Sequence, residues 1–219
     1  MMTEPQLRQE ICRVGSSLFE RGYVHATAGN ISVRLADGFL ITPTDACLGF
    51  LEPERIARAD LNGVQTGGDR ASKTLALHRR IYDADDAAMC VIHTHSTHLV
   101  ALTLAGVWRQ SDVVPPITPY FVMKVGHVPL IRYHRPGDPA VADLVADTMK
   151  QMQAAGTPIR AVMLDRLGPN VWHNSPAAAM AVLEELEETA RLWMMCEPKP
   201  EPLSEEAIQQ LRETFGAIW

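Results

Sequence analysis

The chain has 219 residues with a formal net charge of −6, and its hydrophobic (47%) and charged (21%) fractions are ordinary for a globular protein. This length predicts one domain spanning residues 1–219, with 197–219 as a C-terminal linker and helix. The acidic balance argues against nucleic acid as a partner, no apolar run is long enough to span a membrane, and the polar N-terminus lacks a secretory signal, so a cytoplasmic protein is expected.

The first part of the chain alternates between helical and strand patterns. Helices are predicted where apolar residues recur every three or four positions, and strands where apolar and polar residues alternate. The hairpin signal Asp37-Gly38 separates two of the strands. In chain order, the predicted elements are a helix over 4–21, strands over 31–35 and 39–41, a helical turn over 52–59, a strand over 60–64, and a helix over 73–82 with Ser72 as its N-cap.

The second part continues the alternation around a long loop that is punctuated by Pro115, Pro116 and Pro119. Helices alternating with strands and short hairpins predict a layered α/β fold with a mixed sheet. The predicted elements are strands over 88–92, 128–131, 161–164 and 170–173, helices over 98–104, 139–155, 175–196 and 204–218, and a proline-rich linker over 197–203.

The strand pattern over 88–92 leads directly into three histidines, His93, His95 and His98. Successive side chains of a strand point to opposite faces, so His93 and His95 share one face. Two imidazoles on one face at a strand end can chelate a divalent metal, and this pattern therefore predicts a metal site. His98 falls at the start of the next predicted helix, and we expect it to be a helix-start residue rather than a metal ligand.

Three short loops carry groups suited to an anion. Gly29-Asn30 offers a glycine that allows close backbone approach, and Thr42-Pro43-Thr44 offers hydroxyls. Ser72-Lys73 opens a predicted helix, where free N–H groups and the helix dipole favour phosphate or carboxylate. Each loop also fits an ordinary tight turn or helix start, so the residues alone leave both interpretations open.

These motifs resemble a known family when they are taken in order. They are Gly29-Asn30-Ile31-Ser32, Thr42-Pro43-Thr44, Ser72-Lys73 with His78, and His93-Thr94-His95-Ser96. In this order the chain resembles the class II aldolase/adducin family, which includes L-fuculose-phosphate aldolase and L-ribulose-phosphate 4-epimerase. Four further stretches resemble its 3-oxo-tetronate 4-phosphate decarboxylase branch, namely Leu48-Gly49 and residues 118–126, 133–138 and 184–190.

The resemblance implies a three-layer α/β/α fold with a mixed, largely antiparallel central sheet, and a homotetramer with active sites between subunits. It implies a metal-dependent carbon–carbon lyase that acts on a small phosphorylated sugar acid as a 3-oxo-tetronate 4-phosphate decarboxylase, with a sugar-phosphate aldolase as the alternative. The metal would be divalent, typically zinc, with His93 and His95 as ligands. The implied substrate-binding residues are Gly29, Asn30, Thr44, Ser72 and Lys73, and Tyr120 and Lys73 are the candidate catalytic residues.

The sequence departs from the family pattern at functional positions. Thr74 occupies the position of the family's acid/base glutamate, and Leu167 that of its third metal histidine. Asp45 would repel a phosphate if it pointed inward, whereas His134 or Asp165 could substitute as a ligand. Two alternatives follow from these departures: a degenerate homologue that binds a small acid or a partner subunit without turnover, and a metal-independent reaction that uses Lys73 or Tyr120.

Overall fold

The computed structural model describes residues 2–219, which form one eight-stranded sheet between two layers of helices. The strand order is β4-β3-β2-β1-β5-β8-β7-β6, and neighbouring strands are antiparallel except β6 and β7. This confirms the expected α/β/α fold. The strands are β1 (Asn30–Leu35), β2 (Gly38–Ile41), β3 (Ala57–Asp60), β4 (Gln65–Gly67), β5 (Cys90–His93), β6 (Leu130–Ile131), β7 (Ala161–Leu164) and β8 (Gly168–His173).

The helices divide between the two faces of the sheet. Alternation along the strands sends Ile31, Ile92 and Val171 to one face, which α1, α3 and α6 cover, and Val91 and Trp172 to the other, which α2 and α5 cover. None of the helices within residues 2–219 is long and apolar enough to cross a membrane. The helices are α1 (Glu4–Glu20), α2 (Leu75–Ala84), α3 (Thr97–Ala105), α4 (Pro119–Lys124), α5 (Ala140–Ala154), α6 (Pro176–Met195) and α7 (Glu205–Phe215).

Four predicted assignments were wrong. The strand expected over 60–64 is a turn between β3 and β4, and the N-cap of α2 is Thr74 rather than Ser72. The other two concern residues 52–59 and the proline-rich loop, and their physical causes are clear. The expected helical turn over 52–59 is helical only at Pro53–Arg55, because the following residues pair with β2 as strand β3. The expected loop around the prolines contains α4, whose start is fixed by Pro119 at the first helical position and by the Thr118 hydroxyl, which accepts a hydrogen bond from the Phe121 N–H at 3.1 Å.

The start of α3 is held by a buried carboxylate from α6. Glu187 is 3% exposed and accepts hydrogen bonds from the backbone N–H groups of His98 at 3.0 Å and Leu99 at 3.1 Å. The Nδ1 atom of His98 lies 2.8 Å from the same carboxylate. A carboxylate at a helix N-terminus accepts hydrogen bonds from the free N–H groups and is attracted by the positive end of the helix dipole. His98 therefore serves α3, as the sequence predicted.

Candidate functional site

Three buried polar side chains form a row across the middle of the sheet. Antiparallel pairing of β1, β5 and β8 places Asn30 opposite His93, and His93 opposite Asn170. Directly opposed residues point to the same face, so the three side chains lie together on the face covered by α2 and α5. All three are buried, His93 at 5% exposure and Asn170 at 0%. The row lies near the end of β5, where the predicted histidine pair begins.

His93 and His95 lie together as their spacing predicted, with ring centroids 5.0 Å apart. The Nδ1 atom of His93 lies 2.9 Å from the Pro169 carbonyl oxygen, which can only accept, so Nδ1 donates and Nε2 keeps its lone pair. Burial lowers the pKa of His93 to about 4, and the adjacent His95 adds to the shift. Burial and the nearby His25 also lower the pKa of His95. Both rings are therefore neutral at pH 7 and can act as ligands.

The positions at which the resemblance implies an acid/base glutamate and a third metal histidine face the same pocket as His93. Thr74 and Leu167 line that pocket, and so do the possible substitutes His134 and Asp165. Nevertheless, among residues 2–219 no three or more His, Cys, Asp or Glu side chains are grouped closely enough to hold a metal ion. The chain thus supplies a histidine pair with the expected hydrogen-bonding support but no complete three-ligand protein set, and it fits a tightly held metal only in part.

The pocket has a volume of about 450 Å³ and lies between the sheet and the N-termini of α2 and α5. Three cationic side chains, Lys73, Arg132 and Arg135, line it together with the acidic Asp138 and Asp165. The Asp138 carboxylate is engaged by the Ala140 N–H and by His134. Two helix N-termini and an excess of cationic side chains suit a small anion.

The predicted substrate-binding residues divide into two groups. Thr44, Ser72 and Lys73 line the pocket, whereas Gly29 and Asn30 do not, and Asn30 lies beside His93 on the neighbouring strand β1. Gly29 has φ +84°, and a Cβ there would lie 2.9 Å from the His93 carbonyl oxygen. Its role in the structure is therefore to let the loop pass closely over β5.

Two other predicted residues lie outside this pocket. Tyr120 is on α4 and is 59% exposed. Asp45 has φ +57° and lines a separate cavity of about 230 Å³ with Cys47, so it does not line the cationic pocket. Ala26, on the loop before β1, and Arg166, on the turn between β7 and β8, also have positive φ values.

A buried chain of hydrogen bonds runs beneath the row. The hydroxyls of Tyr82 and Ser32 are 2.7 Å apart, and the Ser32 hydroxyl is 2.7 Å from Nδ1 of His78. The Nε2 atom of His78 is buried and has no hydrogen-bond partner among residues 2–219. Burial, together with nearby His93, lowers the pKa of His78 to about 3. His78 and His93 are therefore both buried and neutral at pH 7.

We expect the free energy of unfolding to fall as the pH drops from 6.5 toward 4. The folded pKa values of His78 (about 3) and His93 (about 4) lie below the unfolded value, so in this range the unfolded chain binds protons that the native state does not. Each histidine then costs about 1.4 kcal/mol per pH unit, whereas above pH 6.5 the cost vanishes. Urea denaturation at several pH values measures the slope, and His78→Asn should reduce it. An unchanged slope in that variant would contradict the assignment to His78.

Sequence reasoning missed Asn170, Arg132 and Arg135 as pocket residues. The arginines lie on an irregular segment after β6, and no periodic pattern indicates which way such side chains point. For Asn170 a signal existed: an amide two positions before Trp172 in a strand shares that residue's buried face. A polar group on a buried strand face requires a partner or a function.

Comparisons with known proteins bear on the family and on the fold of the chain. Residues 9–194 match the family model described as class II aldolase and adducin N-terminal domain. A curated 3-oxo-tetronate 4-phosphate decarboxylase from Cupriavidus necator is 56% identical over 224 residues, covering 100% of both chains, and one from Escherichia coli K12 is 39% identical over 90% of both. The crystal structure of YgbL from Klebsiella pneumoniae superposes with a TM-score of 0.88 at 39% identity, covering 97% of this chain and 100% of that one.

Proposed function

The chain belongs to the class II aldolase and adducin family, and from that premise we propose that it is a carbon–carbon lyase that decarboxylates 3-oxo-tetronate 4-phosphate. One observation carries the proposal: a single pocket joins a cationic rim to a buried polar floor. Lys73 and the two arginines provide the rim, and His93 and Asn170 provide the floor. A small acid with a phosphate at one end and a keto group near the other fits this pocket, because the phosphate would meet the cationic rim and the keto group the polar floor.

The reaction needs little covalent participation from the protein. The bond between C1 and C2 breaks and C1 leaves as CO₂, while its electron pair forms a C2=C3 double bond and the 3-oxo oxygen becomes an enolate oxygen. C2 then takes a proton from water, which gives a three-carbon hydroxyketone phosphate. The protein must therefore anchor the phosphate and stabilise the enolate oxygen. Thr44, Ser72 and Lys73 are the proposed phosphate anchor, because they line the rim of the pocket and the last two lie immediately before α2.

A divalent metal, proposed to be zinc, would be held by His93 and His95. Bound there, it would polarise the keto oxygen as a Lewis acid. The neutral rings support this role, whereas the lack of a third protein ligand within residues 2–219 weakens it, so the steps above do not depend on the metal. We further propose a homotetramer in which Tyr120 reaches a neighbouring subunit's pocket, since its ring is largely exposed.

A degenerate homologue that binds without turnover is the second candidate. Thr74 and Leu167 favour it, because they line the pocket at the positions where the resemblance implies a glutamate and a histidine. Incubation of the purified protein with 3-oxo-tetronate 4-phosphate, with CO₂ release and metal content measured in parallel, separates the candidates. Release well above the spontaneous rate supports the decarboxylase, its absence supports the degenerate homologue, and cleavage of a sugar phosphate without CO₂ supports an aldolase.

Lys73→Met should raise KM for the phosphorylated substrate by about 10–100-fold and leave kcat within a few-fold. A charge-assisted hydrogen bond to phosphate is worth about 1.5–3 kcal/mol, and the phosphate keeps the same charge in the ground and transition states. Lys150→Met is the matched control, because Lys150 is an exposed lysine on α5 that does not line the pocket. A loss of kcat at unchanged KM would instead place Lys73 in the chemistry.

A further inference from the structure

Asn170 is a fully buried amide that lines the pocket and lacks hydrogen bonds. Its exposure is 0%, and both Oδ1 and Nδ2 are without a partner among residues 2–219. Buried amides are normally satisfied, because removing them from water without a partner costs free energy. Strand β8 fixes the position of this amide through its pairing with β5 and β7. Its Oδ1 and Nδ2 atoms are therefore available for hydrogen bonds with a group that enters the pocket.

The hydrogen-bonding capacity of the residues around Asn170 limits which ligand group can bind there. His93, the neighbour of Asn170 in the sheet, donates through Nδ1 to the Pro169 carbonyl, so in its neutral form Nε2 only accepts. Leu167, which also lines the pocket, has no polar side-chain atom. Of these three residues, only Asn170 can donate a hydrogen bond to an oxygen, and it can accept one at the same time.

We propose that Asn170 recognises the substrate's 2-hydroxy-3-oxo unit by a paired hydrogen bond. Nδ2 donates to the 3-oxo oxygen, and Oδ1 accepts from the 2-hydroxyl on the adjacent carbon. The pairing satisfies both orphan atoms with two neighbouring groups of one ligand. This inference rests on the proposed function, and it names the part of the substrate that the pocket floor selects.

The same contact strengthens during the reaction. As the C1–C2 electron pair moves into the C2=C3 bond, the 3-oxo oxygen gains negative charge, and an N–H donor already in place stabilises it more than it stabilises the ketone. Asn170 is therefore expected to affect kcat as well as binding. The 2-hydroxyl contact makes the site discriminate against 3-oxo acids that lack that hydroxyl.

Binding of two stable ketone phosphates tests the recognition without requiring turnover. Dihydroxyacetone phosphate carries the hydroxyketone unit, and hydroxyacetone phosphate lacks its hydroxyl. By titration calorimetry, the wild-type protein should bind the former about 10-fold more tightly, and Asn170→Leu, which keeps the branching at Cγ, should abolish the difference. If Asn170→Leu fails to fold, Asn170→Asp, which removes the N–H donor, should weaken binding of both. Unchanged discrimination in the variant, or no binding of either phosphate by the wild type, overturns the proposal.

Turnover separates this inference from the proposed function. Where the wild type releases CO₂ from 3-oxo-tetronate 4-phosphate, Asn170→Leu should lower kcat by about 10²–10³-fold, as loss of an oxyanion donor does. An active wild type with an equally active Asn170→Leu variant rejects the role of Asn170 but keeps the decarboxylase, and indicates that ordered water satisfies the amide. An inactive wild type that loses its ligand discrimination on substitution rejects the decarboxylase but keeps the recognition.

Trp172→Phe, which removes another unpartnered N–H on β8, is the control and should leave discrimination unchanged.

Discussion

Gly168→Ala is expected to destabilise the protein by more than about 4 kcal/mol or to prevent folding. A Cβ at this position would lie 1.9 Å from the Thr94 carbonyl oxygen, and the φ of +132° is one that residues with a side chain rarely adopt. The clash involves backbone of the segment that follows β5, so no side-chain rotation can relieve it. Urea denaturation monitored by circular dichroism measures the loss.

Gly156→Ala is the matched control for backbone strain alone. Gly156 also has a positive φ, +80°, but a Cβ there would meet nothing within 4 Å. Its cost should therefore be limited to the left-handed conformation, about 1–2 kcal/mol. Equal losses in the two variants would show that the contact with Thr94 is not what requires glycine at position 168.

Leu167→His is expected to raise affinity for zinc by about 100-fold or more. Leu167 lines the same pocket as His93, and a third imidazole would complete the ligand number that catalytic zinc sites commonly use. Competition with a chromophoric chelator measures the affinity directly. Combining the substitution with Thr74→Glu adds the missing carboxylate. If the wild type lacks decarboxylation, the double variant should gain it.

Leu77→His tests whether any added histidine in the pocket has the same effect. Leu77 lies on α2 and lines the pocket as Leu167 does, but it does not occupy the position at which the family resemblance implies a ligand. Its zinc affinity should stay within a few-fold of the wild-type value. Similar gains in both variants would indicate nonspecific chelation, and a wild type that already binds zinc tightly would refute the view that position 167 limits metal binding.

Local patterns predicted those features of the fold that depend on local periodicity. The hairpin at Asp37-Gly38 and the strand at 161–164 follow from side-chain alternation and turn chemistry. The rings of His93 and His95 lie close together as their spacing predicted, although β5 ends at His93. The row that joins Asn30, His93 and Asn170 depends on which strands pair and in which register. That information is non-local: the neighbours of Asn170 indicate that its side chain lies on a buried face, but they do not indicate that it lies beside His93.

The pairing of β5 with β8 also bears on the order in which the protein assembles. His93 and Pro169 form their hydrogen bond although 76 positions separate them along the chain. Contacts of high sequence separation require loop closure before they contribute stability, and chains rich in them fold slowly. The ligand pocket should therefore form late, after β8 has been synthesised and has added to the sheet. Ligand binding would then be a more stringent reporter of completed folding than helix content.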